Sequence, residues 1–456
     1  MIARPAQAPG DPAPERGPTG RGRTFGRDVA LLALVRLAAT AAGFLTSVLA
    51  ARVLGPAALG AGAVGLTLAT IAALLANGGL NISSIYFLGR RPEERRLITH
   101  RSFTLGLCAT ALAALLVLLA APVVSPTLFG TGHADLLLAT ALVAAGIVSF
   151  ELSGSLLLGL DRRTAYLRTQ VIEGVGSLFL VAGVFFVVTA TPAGYLVGAA
   201  LAALLAAGFA TVVAQRTVGG RMAAFDVGFA RESLALGLRG QVGNVLQQLN
   251  LRLDLLLVPL FVDLRAAGVY LIAVRMSEVV SQIASASSAY LFPAVSRRDA
   301  GDTALTERTV RITLIVVMAS GLVIALLAPL LLEVFFGPDY AAGAGALRIT
   351  MVAMIPLSLN RLMAGDLKGR GRAGLVSISA GCALVATVAF DLLLIPPFGI
   401  EGASLASLIA YSIGACVLLA AYRRVTGSSL RLLVPTVADA RLLVAASLGV
   451  VRRTRS

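Results

Sequence analysis

Six arginines lie inside long apolar stretches of this sequence, where a charged side chain is costly. They are Arg36, Arg239, Arg252, Arg275, Arg348 and Arg361. A charge at the centre of a membrane-spanning helix costs at least about 2.5–3.5 kcal/mol, so each arginine needs a partner or a function. Because the planar guanidinium binds phosphate through paired hydrogen bonds, the chemistry that this set favours is recognition of an anion.

The depth of each arginine within its apolar stretch ranks the candidates. Arg239 and Arg361 lie near the ends of their stretches, where snorkelling to the membrane surface explains them equally well. Arg252 and Arg275 lie near the middle, and Arg36 lies about two turns into the first stretch. The predicted binding residues are Arg36, Arg252 and Arg275, with Arg348 and Arg361 as further candidates.

Carboxylates away from the ends of the apolar stretches are few, namely Glu173, Asp254 and Glu278. Glu278 follows Arg275 by three residues, so on a helix the two share a face and can form an ion pair. Asp254 follows Arg252 by two, which on a continuous helix points the side chains about 160° apart. A cavity lined by more arginines than carboxylates would attract anions. The candidates for binding a coupling Na⁺ or H⁺ are Asp254, Glu278 and Glu173.

The seventh apolar stretch is the most polar of all. Its polar residues recur at intervals of three and four, which places them on one side of a helix. One stripe is Gln241, Asn244, Gln248 and Arg252, and the adjoining stripe is Gln247, Asn250 and Asp254. We predict that this face lines a hydrated cavity in which Asn244 and Gln248 contact the substrate. The alternative is hydrogen bonding between helices without a cavity.

The elements that must position these residues are membrane-spanning helices. The 456 residues are 57% hydrophobic and only 13% charged, whereas a soluble domain carries about 25% charged residues. Each span needs about 20 apolar residues. The twelve predicted spans are 29–51, 57–85, 102–124, 136–160, 169–190, 194–214, 233–261, 266–293, 312–334, 342–366, 373–396 and 402–422.

The remaining basic residues predict the orientation in the membrane. Of 38 lysines and arginines, 30 lie in the two tails or in alternate loops, and the opposite loops hold only Arg52 and Arg265. The basic loops are 90–101, 161–168, 215–231, 297–311 and 368–372. Since basic loops stay in the cytoplasm, both termini are expected there and the number of spans is even. We predict a multi-pass protein of the bacterial cytoplasmic membrane.

An internal repeat divides the spans into two sets of six. LSGSLLLGLDRR from Leu152 matches LSLNRLMAGDLKGR from Leu357, an offset of 205, and Gly60 matches Gly268 less clearly. Six spans per copy give both copies the same orientation, as in transporters whose substrate path runs between two halves. The predicted segments are a disordered basic tail (1–28), an N-lobe (29–215), a cytoplasmic linker (216–232), a C-lobe (233–424) and a tail (425–456).

Several classes of function are not supported by any motif. The sequence has no Walker loop, HExxH or GxSxG with a plausible triad, so we expect no enzymatic activity. The net charge of +15 comes from loop arginines and not from a soluble basic domain, which argues against nucleic-acid binding. Cys108, Cys382 and Cys416 lie in separate spans, so neither a metal site nor a disulfide framework is expected.

Residues 441–451 leave two structures open. The segment RLLVAASLGVV is apolar but too short to cross a membrane as a helix. It fits an interfacial helix better than the remnant of a further span.

A family resemblance joins these observations. VRLAATAAGFLTSVLAARVLGPAALGAGAV, LLANGGLNISSIYFLGR, FFGPDYAAGAGALRI and PFGIEGASLASLIAY resemble motifs of polysaccharide and O-antigen-type flippases, over about residues 28–424. These belong to the multidrug/oligosaccharidyl-lipid/polysaccharide (MOP) exporter superfamily. The resemblance implies an all-α fold of two six-helix lobes around a V-shaped central cavity. It also implies an undecaprenyl-pyrophosphate-linked oligosaccharide as substrate, with Arg36, Arg252 and Arg275 matching pyrophosphate-binding arginines by position.

Three functions follow from this resemblance and the charge pattern. The first is an alternating-access flippase for a lipid-linked oligosaccharide, driven by an ion gradient or potential because no ATP site is present. It would act beside membrane lipids and a possible polymerase or glycosyltransferase complex. The second is a multidrug cation antiporter, for which span 1 carries Arg36 where an acid is expected. The third is a non-transporting scaffold of a glycan-synthesis complex.

Overall fold

The computed structural model describes residues 19–124, 127, 134–188, 190–220, 223–297, 302–436 and 439. This part of the chain folds into thirteen α-helices and contains no β-strand. The helices are α1 (Thr19–Asn77), α2 (Leu80–Arg90), α3 (Arg95–Val124), α4 (Ala134–Gly159), α5 (Arg163–Val187), α6 (Pro192–Val218), α7 (Val227–Asn250), α8 (Asp254–Phe261), α9 (Leu264–Val295), α10 (Ala304–Leu326), α11 (Ala328–Phe336), α12 (Ala344–Gly369) and α13 (Ala373–Thr426).

Twelve membrane crossings can be traced through the described helices. Nine segments are long and apolar enough to cross a membrane. Two of them, in α1 and α13, bend at Gly55 and Gly399, where φ is positive (73° and 55°), and therefore cross twice. The remaining crossing is α7 followed by α8. Polar residues lower the hydropathy of α7, but the predicted count of twelve spans is confirmed.

The described helices form two lobes with their basic loops at one end. In the first lobe, α3 to α6 pack against α1, and in the second, α10, α12 and α13 pack around α9. We call the end that carries the arginine-rich loops the basic end. There, Nε2 of His100 lies 2.9 Å from the carbonyl oxygen of Gly219, and Arg370 donates to the carbonyl oxygen of Asp302. Loops that are distant in sequence thus meet at this end.

Matching turns confirm the internal repeat but correct its register. The turn after α4 and the turn after α12 share one hydrogen-bond pattern and one residue with positive φ, Asp161 (57°) and Gly371 (73°). The equivalent bonds are Arg162 N to Leu157 O and Arg372 N to Leu367 O, each 2.8 Å. The offset here is 210 instead of the predicted 205. The hydrogen bonds of the two turns, rather than the similar residues beside them, define the correct alignment of the two repeats.

Gly60 and Gly268, the weakest predicted repeat pair, touch each other where the lobes meet. A Cβ on Gly60 would lie 1.8 Å from the carbonyl oxygen of Leu264, and one on Gly268 would lie 1.9 Å from that of Pro56. Each glycine therefore packs on the residue four positions before the other. This reciprocal contact is what a twofold axis between two copies produces, and it closes the lobes together at the end opposite the basic end.

Three predicted boundaries need correction. Helix α1 begins at Thr19, so residues 19–28 are helical rather than part of a disordered tail, because a span once formed propagates by one hydrogen bond per residue. Helices α6 and α7 extend to Val218 and from Val227, which shortens the predicted linker 216–232. After α13, Leu433 is buried and Arg311 pairs with Asp439 (3.2 Å), so the start of the tail packs on the second lobe. Residues 1–18 and 441–451 lie outside the described part.

Candidate functional site

A cluster of two arginines and one glutamate lies in the middle of the second lobe. Nη1 of Arg275 is 2.9 Å from Oε2 of Glu278, and Nη2 of Arg252 is 3.3 Å from Oε1 of the same carboxylate. The Arg275–Glu278 pair was predicted from the spacing along α9, whereas the pair with Arg252 was not. In the described residues, Nε of Arg275 is buried without a hydrogen-bond partner, so this guanidinium keeps a donor for a ligand.

Arg361 adds a third guanidinium from helix α12. Its Nη1 donates to the carbonyl oxygen of Ser281 (3.1 Å) and to the hydroxyl of Ser285 (2.5 Å), both on α9. The hydroxyl of Ser288 donates back to the carbonyl oxygen of Arg361 (2.7 Å). Arg361 is thus held against the same helix that carries Arg275, whereas the sequence left snorkelling equally open.

The predicted continuous helix of span 7 is broken beside Arg252. Helix α7 ends at Asn250, α8 begins at Asp254, and the amide of Arg252 donates three residues back, to Leu249 (3.1 Å). The amide of Leu255 donates to the side chain of Asp254 (2.8 Å). Broken backbone is tolerated at membrane depth where it faces protein or a cavity. As expected from their spacing, Arg252 and Asp254 do not pair with each other, although both line the same cavity.

That cavity lies within the second lobe and has a volume of about 50 Å³, room for one or two water molecules. Helices α8, α9, α12 and α13 all contribute to it. Its charged and phenolic lining residues are Arg252, Asp254, Tyr270, Glu278, Arg361 and Tyr411. The prediction missed Tyr270 and Tyr411, because a single tyrosine in an apolar span has no spacing that connects it to a distant helix.

Asp254 is fixed rather than open to substrate. It is buried, and its carboxylate accepts hydrogen bonds from Tyr270 (2.5 Å) and Ser407 (3.4 Å) as well as from Leu255. Asn250, one turn earlier, accepts from the hydroxyl of Thr387 on α13. The predicted second stripe of span 7 therefore packs against the second lobe instead of facing a wide cavity.

Asp391 is a buried carboxylate that the prediction treated only as an acid near a span end. It lies one turn after Thr387 on α13 and is fully buried. Both of its oxygens are buried without a hydrogen-bond partner in the described residues. Buried polar atoms normally have partners, so this pair of oxygens marks a position where a proton or a cation fits.

A second, larger cavity opens between the lobes. It has a volume of about 290 Å³ and is lined by Thr40, Gly43 and Phe44 of α1 and by Arg275, Glu278 and Gln282 of α9, among others. Arg36 lies one turn before Thr40, so its backbone position is on the same face of α1. The side chain of Arg36 lies outside the described residues. Arg275 and Glu278 thus connect the inter-lobe cavity with the second lobe.

The first polar stripe of span 7 is divided, because Gln241 lies beside the first lobe whereas Arg252 points into the second-lobe cavity. Gln241 is buried beside Leu74 and Leu75 of α1, along a groove of about 170 Å³. Asn244 is exposed and donates weakly to Gln241 (3.5 Å), and Gln248 is half-buried. The predicted polar face is therefore at the boundary between the lobes, but its lining at Gln241 is more apolar than we expected.

Two other predicted site residues lie apart from the cluster. Arg348 is exposed near the start of α12 and donates to the carbonyl oxygen of Ala325 at the end of α10 (3.2 Å), which satisfies it without a substrate. Glu173 is half-buried on α5 in the first lobe, next to Gly174, which packs on Ala39 of α1. Neither residue belongs to the two cavities described above.

Ion pairs hold the lobes together at the basic end. Arg91 at the end of α2 pairs with Glu232 of α7 (2.6 Å), and Arg101 of α3 pairs with Asp226 (2.5 Å). Asp226 also caps α7 by accepting from the amide of Phe229 (2.9 Å). This amide, helped by Arg101, holds the pKa of Asp226 below its usual range.

Metal ligation has no candidate among the side chains that the structure describes. No group of three or more histidine, cysteine, aspartate or glutamate residues there could hold a metal ion. Cys108, Cys382 and Cys416 are free and exposed. The site therefore offers guanidinium groups, a glutamate and two buried aspartates.

Solved structures define the fold class of this arrangement as that of the MOP superfamily. The lipid II flippase MurJ, in an inward closed conformation, aligns over 86% of this chain and 87% of its own with a TM-score of 0.73 and 16% identity. An inward-facing multidrug resistance MATE family transporter aligns over 87% and 98% with a TM-score of 0.70 and 17% identity. A MOP superfamily transporter from Pyrococcus furiosus, described by a reversed polarity of its binding pocket, aligns over 88% and 96% with a TM-score of 0.59 and 16% identity.

The chain belongs to the family of polysaccharide biosynthesis proteins, whose sequence model matches residues 25–299. This match confirms the resemblance stated from the sequence motifs. No individual curated protein matches the chain. With its apolar helices, the protein is a multi-pass membrane protein of the MOP fold.

Proposed function

We propose that the protein is a flippase for a lipid-linked oligosaccharide of the undecaprenyl-pyrophosphate type, working by alternating access. The observation that carries this proposal is the pair of guanidiniums, Arg252 and Arg275, around one carboxylate at the boundary of two cavities. Arginine is the side chain best suited to bind a diphosphate bidentately. Membership of the polysaccharide biosynthesis family supports a glycan-bearing substrate.

The geometry suggests how such a substrate is held. The diphosphate contacts Arg275 from the inter-lobe cavity, with Arg252 and Arg361 behind it, while α1, the helix that carries Arg36, lines the opposite side of this cavity. The sugars lie between the lobes near Asn244 and Gln248, and the lipid tail stays in the bilayer. No step requires covalent chemistry, which is why we propose a transporter and not an enzyme.

A multidrug cation antiporter is the weaker alternative. A cation would need carboxylates that face the inter-lobe cavity, but Glu278 there is paired with two arginines and Asp254 is buried behind it. The exposed potential of the cavity is therefore positive. The Pyrococcus furiosus relative, whose reversed pocket polarity suggests a different function, supports pocket charge as the discriminating feature.

Coupling to an ion is proposed at the buried aspartates Asp254 and Asp391. Both side chains are buried and neither oxygen of Asp391 has a hydrogen-bond partner in the described residues, so a bound proton or Na⁺ would compensate a buried charge there. Asp254 sits at the break in span 7 beside Arg252, so cation binding there can change the position of the arginine. This replaces the expected involvement of Glu173.

The location and partners follow from the charge pattern and the proposed substrate. The basic end faces the cytoplasm of a bacterium, with both termini inside, because positive loops are retained there. The protein receives its substrate from glycosyltransferases and delivers it to a polymerase at the outer surface. Membrane lipids are its remaining partners, and it has no role with nucleic acids.

A flipping assay with purified protein tests this function. Proteoliposomes would contain a fluorescent disaccharide linked to a polyprenyl diphosphate, and quenching from outside would measure its transfer between leaflets. We expect Arg252→Ala and Arg275→Ala to lower the rate about a hundredfold, since losing one partner of a desolvated charge pair costs about 2–5 kcal/mol. Arg348→Ala is the matched control and should keep the wild-type rate. Full flipping by both arginine variants would refute the proposal.

A further inference from the structure

The carboxylate of Glu278 occupies the position that a phosphate would take between two arginines. Oε2 pairs with Arg275 at 2.9 Å and Oε1 pairs with Arg252 at 3.3 Å, so each oxygen serves a different guanidinium. A phosphate group likewise presents anionic oxygens to several donors at once. Arg275 still has a buried Nε without a partner in the described residues, so the present pairing leaves its donors incompletely used.

Glu278 differs from Asp254 in how it is held. Asp254 is buried and accepts from a backbone amide, a tyrosine and a serine. Glu278 is 34% exposed and borders both the second-lobe cavity and the inter-lobe cavity. Its carboxylate is held by the two arginines and has space on both sides. A ligand that offers the arginines a better anion can therefore displace it without disrupting buried hydrogen bonds.

An empty site with these arginines needs a counter-charge. Arg252 and Arg275 act unfavourably on each other, and Arg361 adds positive potential at Glu278 from α12. Unpaired charges in a low-dielectric setting are strongly destabilising. A transporter that returns empty must close its lobes around this cluster without substrate, and only an anion supplied by the protein itself can compensate it on that step.

We propose that Glu278 is an internal counter-anion that pairs with Arg252 and Arg275 in the empty transporter and is displaced by the diphosphate of the substrate. This inference rests on the proposed function and deepens it. Glu278 then lowers the affinity for substrate but permits the return of the empty carrier. It acts as a positioning residue whose loss separates binding from turnover.

The binding experiment uses the full-length protein in nanodiscs with geranyl diphosphate as the probe and geraniol as the uncharged comparison. For Glu278→Gln we expect geranyl diphosphate to bind about tenfold more tightly than to the wild type, since the competing charge is gone. The matched control is Glu401→Gln, which makes the same charge change on an exposed residue beside Gly345, away from the cluster. This control should bind as the wild type does.

The flipping assay supplies the second readout. Although it binds the diphosphate more tightly, Glu278→Gln should flip the lipid-linked disaccharide about tenfold more slowly, because its empty form returns poorly. Equal or weaker binding of geranyl diphosphate by a folded Glu278→Gln protein would overturn the inference. If that variant fails to fold, Glu278→Asp, too short to span both arginines, replaces it, with an intermediate gain in affinity expected and unchanged affinity overturning the inference.

The diphosphate site and the role of Glu278 can be refuted separately. If Arg275→Ala binds geranyl diphosphate as tightly as the wild type, the diphosphate site itself is wrong and the proposed function fails with it. If Arg275→Ala loses binding while Glu278→Gln shows no gain, the site stands and only the role of Glu278 is refuted.

Discussion

The two lobes share one architecture but differ in the helix that each presents to the centre. Their turns at Asp161 and Gly371 have the same hydrogen bonds, and Gly60 and Gly268 meet reciprocally. In the described part of α1, the first lobe contributes Thr40, Gly43 and Phe44 to the inter-lobe cavity. The second lobe breaks its equivalent span at residues 251–253 and gathers the charges around it. The repeat therefore provides the shape, and several helices of the second lobe together provide the charged cluster.

Substitution of either glycine in the contact between Gly60 and Gly268 should have the same effect on flipping and stability. Gly60→Ala and Gly268→Ala each place a methyl group within 2 Å of a backbone carbonyl oxygen. We expect the largest effect here, near-complete loss of flipping and a loss of stability of about 3 kcal/mol or more, because the backbones must separate. Gly183→Ala in α5, where a Cβ meets nothing within 4 Å, is the control for thermal unfolding. Wild-type behaviour of either axis variant would contradict the close contact of the lobes.

We expect ion-driven flipping to depend on buried carboxylates of the second lobe but not on Glu173 of the first lobe. Asp254→Asn and Asp391→Asn remove the proposed cation site of the second lobe, and we expect ion-driven flipping to fall about tenfold or more while geranyl diphosphate still binds. Glu173→Gln, the corresponding charge removal in the first lobe, should leave the rate unchanged. Flipping would be measured in proteoliposomes with and without imposed Na⁺ and pH gradients. A response of Glu173→Gln equal to that of the aspartate variants would mean that both lobes carry the ion.

The stability of span 7 at its break should depend on the hydrogen bond between Thr387 of α13 and Asn250. Thr387→Val keeps the shape of the side chain but removes the hydroxyl that donates to Asn250. Leaving the buried Asn250 amide oxygen unpaired should lower the free energy of unfolding by about 1–3 kcal/mol. Thermal unfolding in nanodiscs measures this, with Thr309→Val on α10, whose hydroxyl bonds only within its own helix turn, as the comparison. Equal stability of the two variants would argue against a specific anchor.

The smallest effect is expected where the lobes join at the basic end. Asp226 has a lowered pKa because its carboxylate accepts from the Phe229 amide and faces Arg101. Its contribution to stability is therefore complete above the unfolded pKa of about 3.9 and is lost as the pH falls through the lower folded value. Asp226→Asn keeps an N-cap but should lose this part of the acid sensitivity. Thermal unfolding between pH 7 and pH 3 would show it, and identical pH profiles would contradict this account.

Much of the fold could be predicted from the sequence. Hydropathy and the spacing of basic loops predicted twelve spans, and similar motifs predicted two copies of six. These features are local or statistical, because each span must be apolar for its own length whatever it packs against. The offset of 205 was wrong at the turn after α4 because residues of similar type can lie about one helical turn away from the structurally equivalent position.

The site was only partly predictable. Arg275 with Glu278 followed from the i, i+3 spacing on one helix, whereas Arg252 with Glu278 depends on how span 7 packs against α9. Asp391 drew little attention because its neighbours in sequence are apolar, and only the tertiary structure shows that both of its oxygens are buried without a hydrogen-bond partner among the described residues. Arg348 illustrates the converse, since an intramembrane position in the sequence became an exposed position bonded to Ala325.

The sequence by itself determined that this chain crosses a membrane twelve times, that its two halves are related, and that six arginines lie within the spans. The tertiary structure decided which of these charges meet. Glu278 lies between Arg252 and Arg275 because span 7 packs beside α9, which brings Arg252 next to the helix that carries the other two residues. Each span must be apolar because lipid surrounds it, and this requirement can be read from the span alone. A charged cluster depends on distances between helices, which the sequence of one span does not specify.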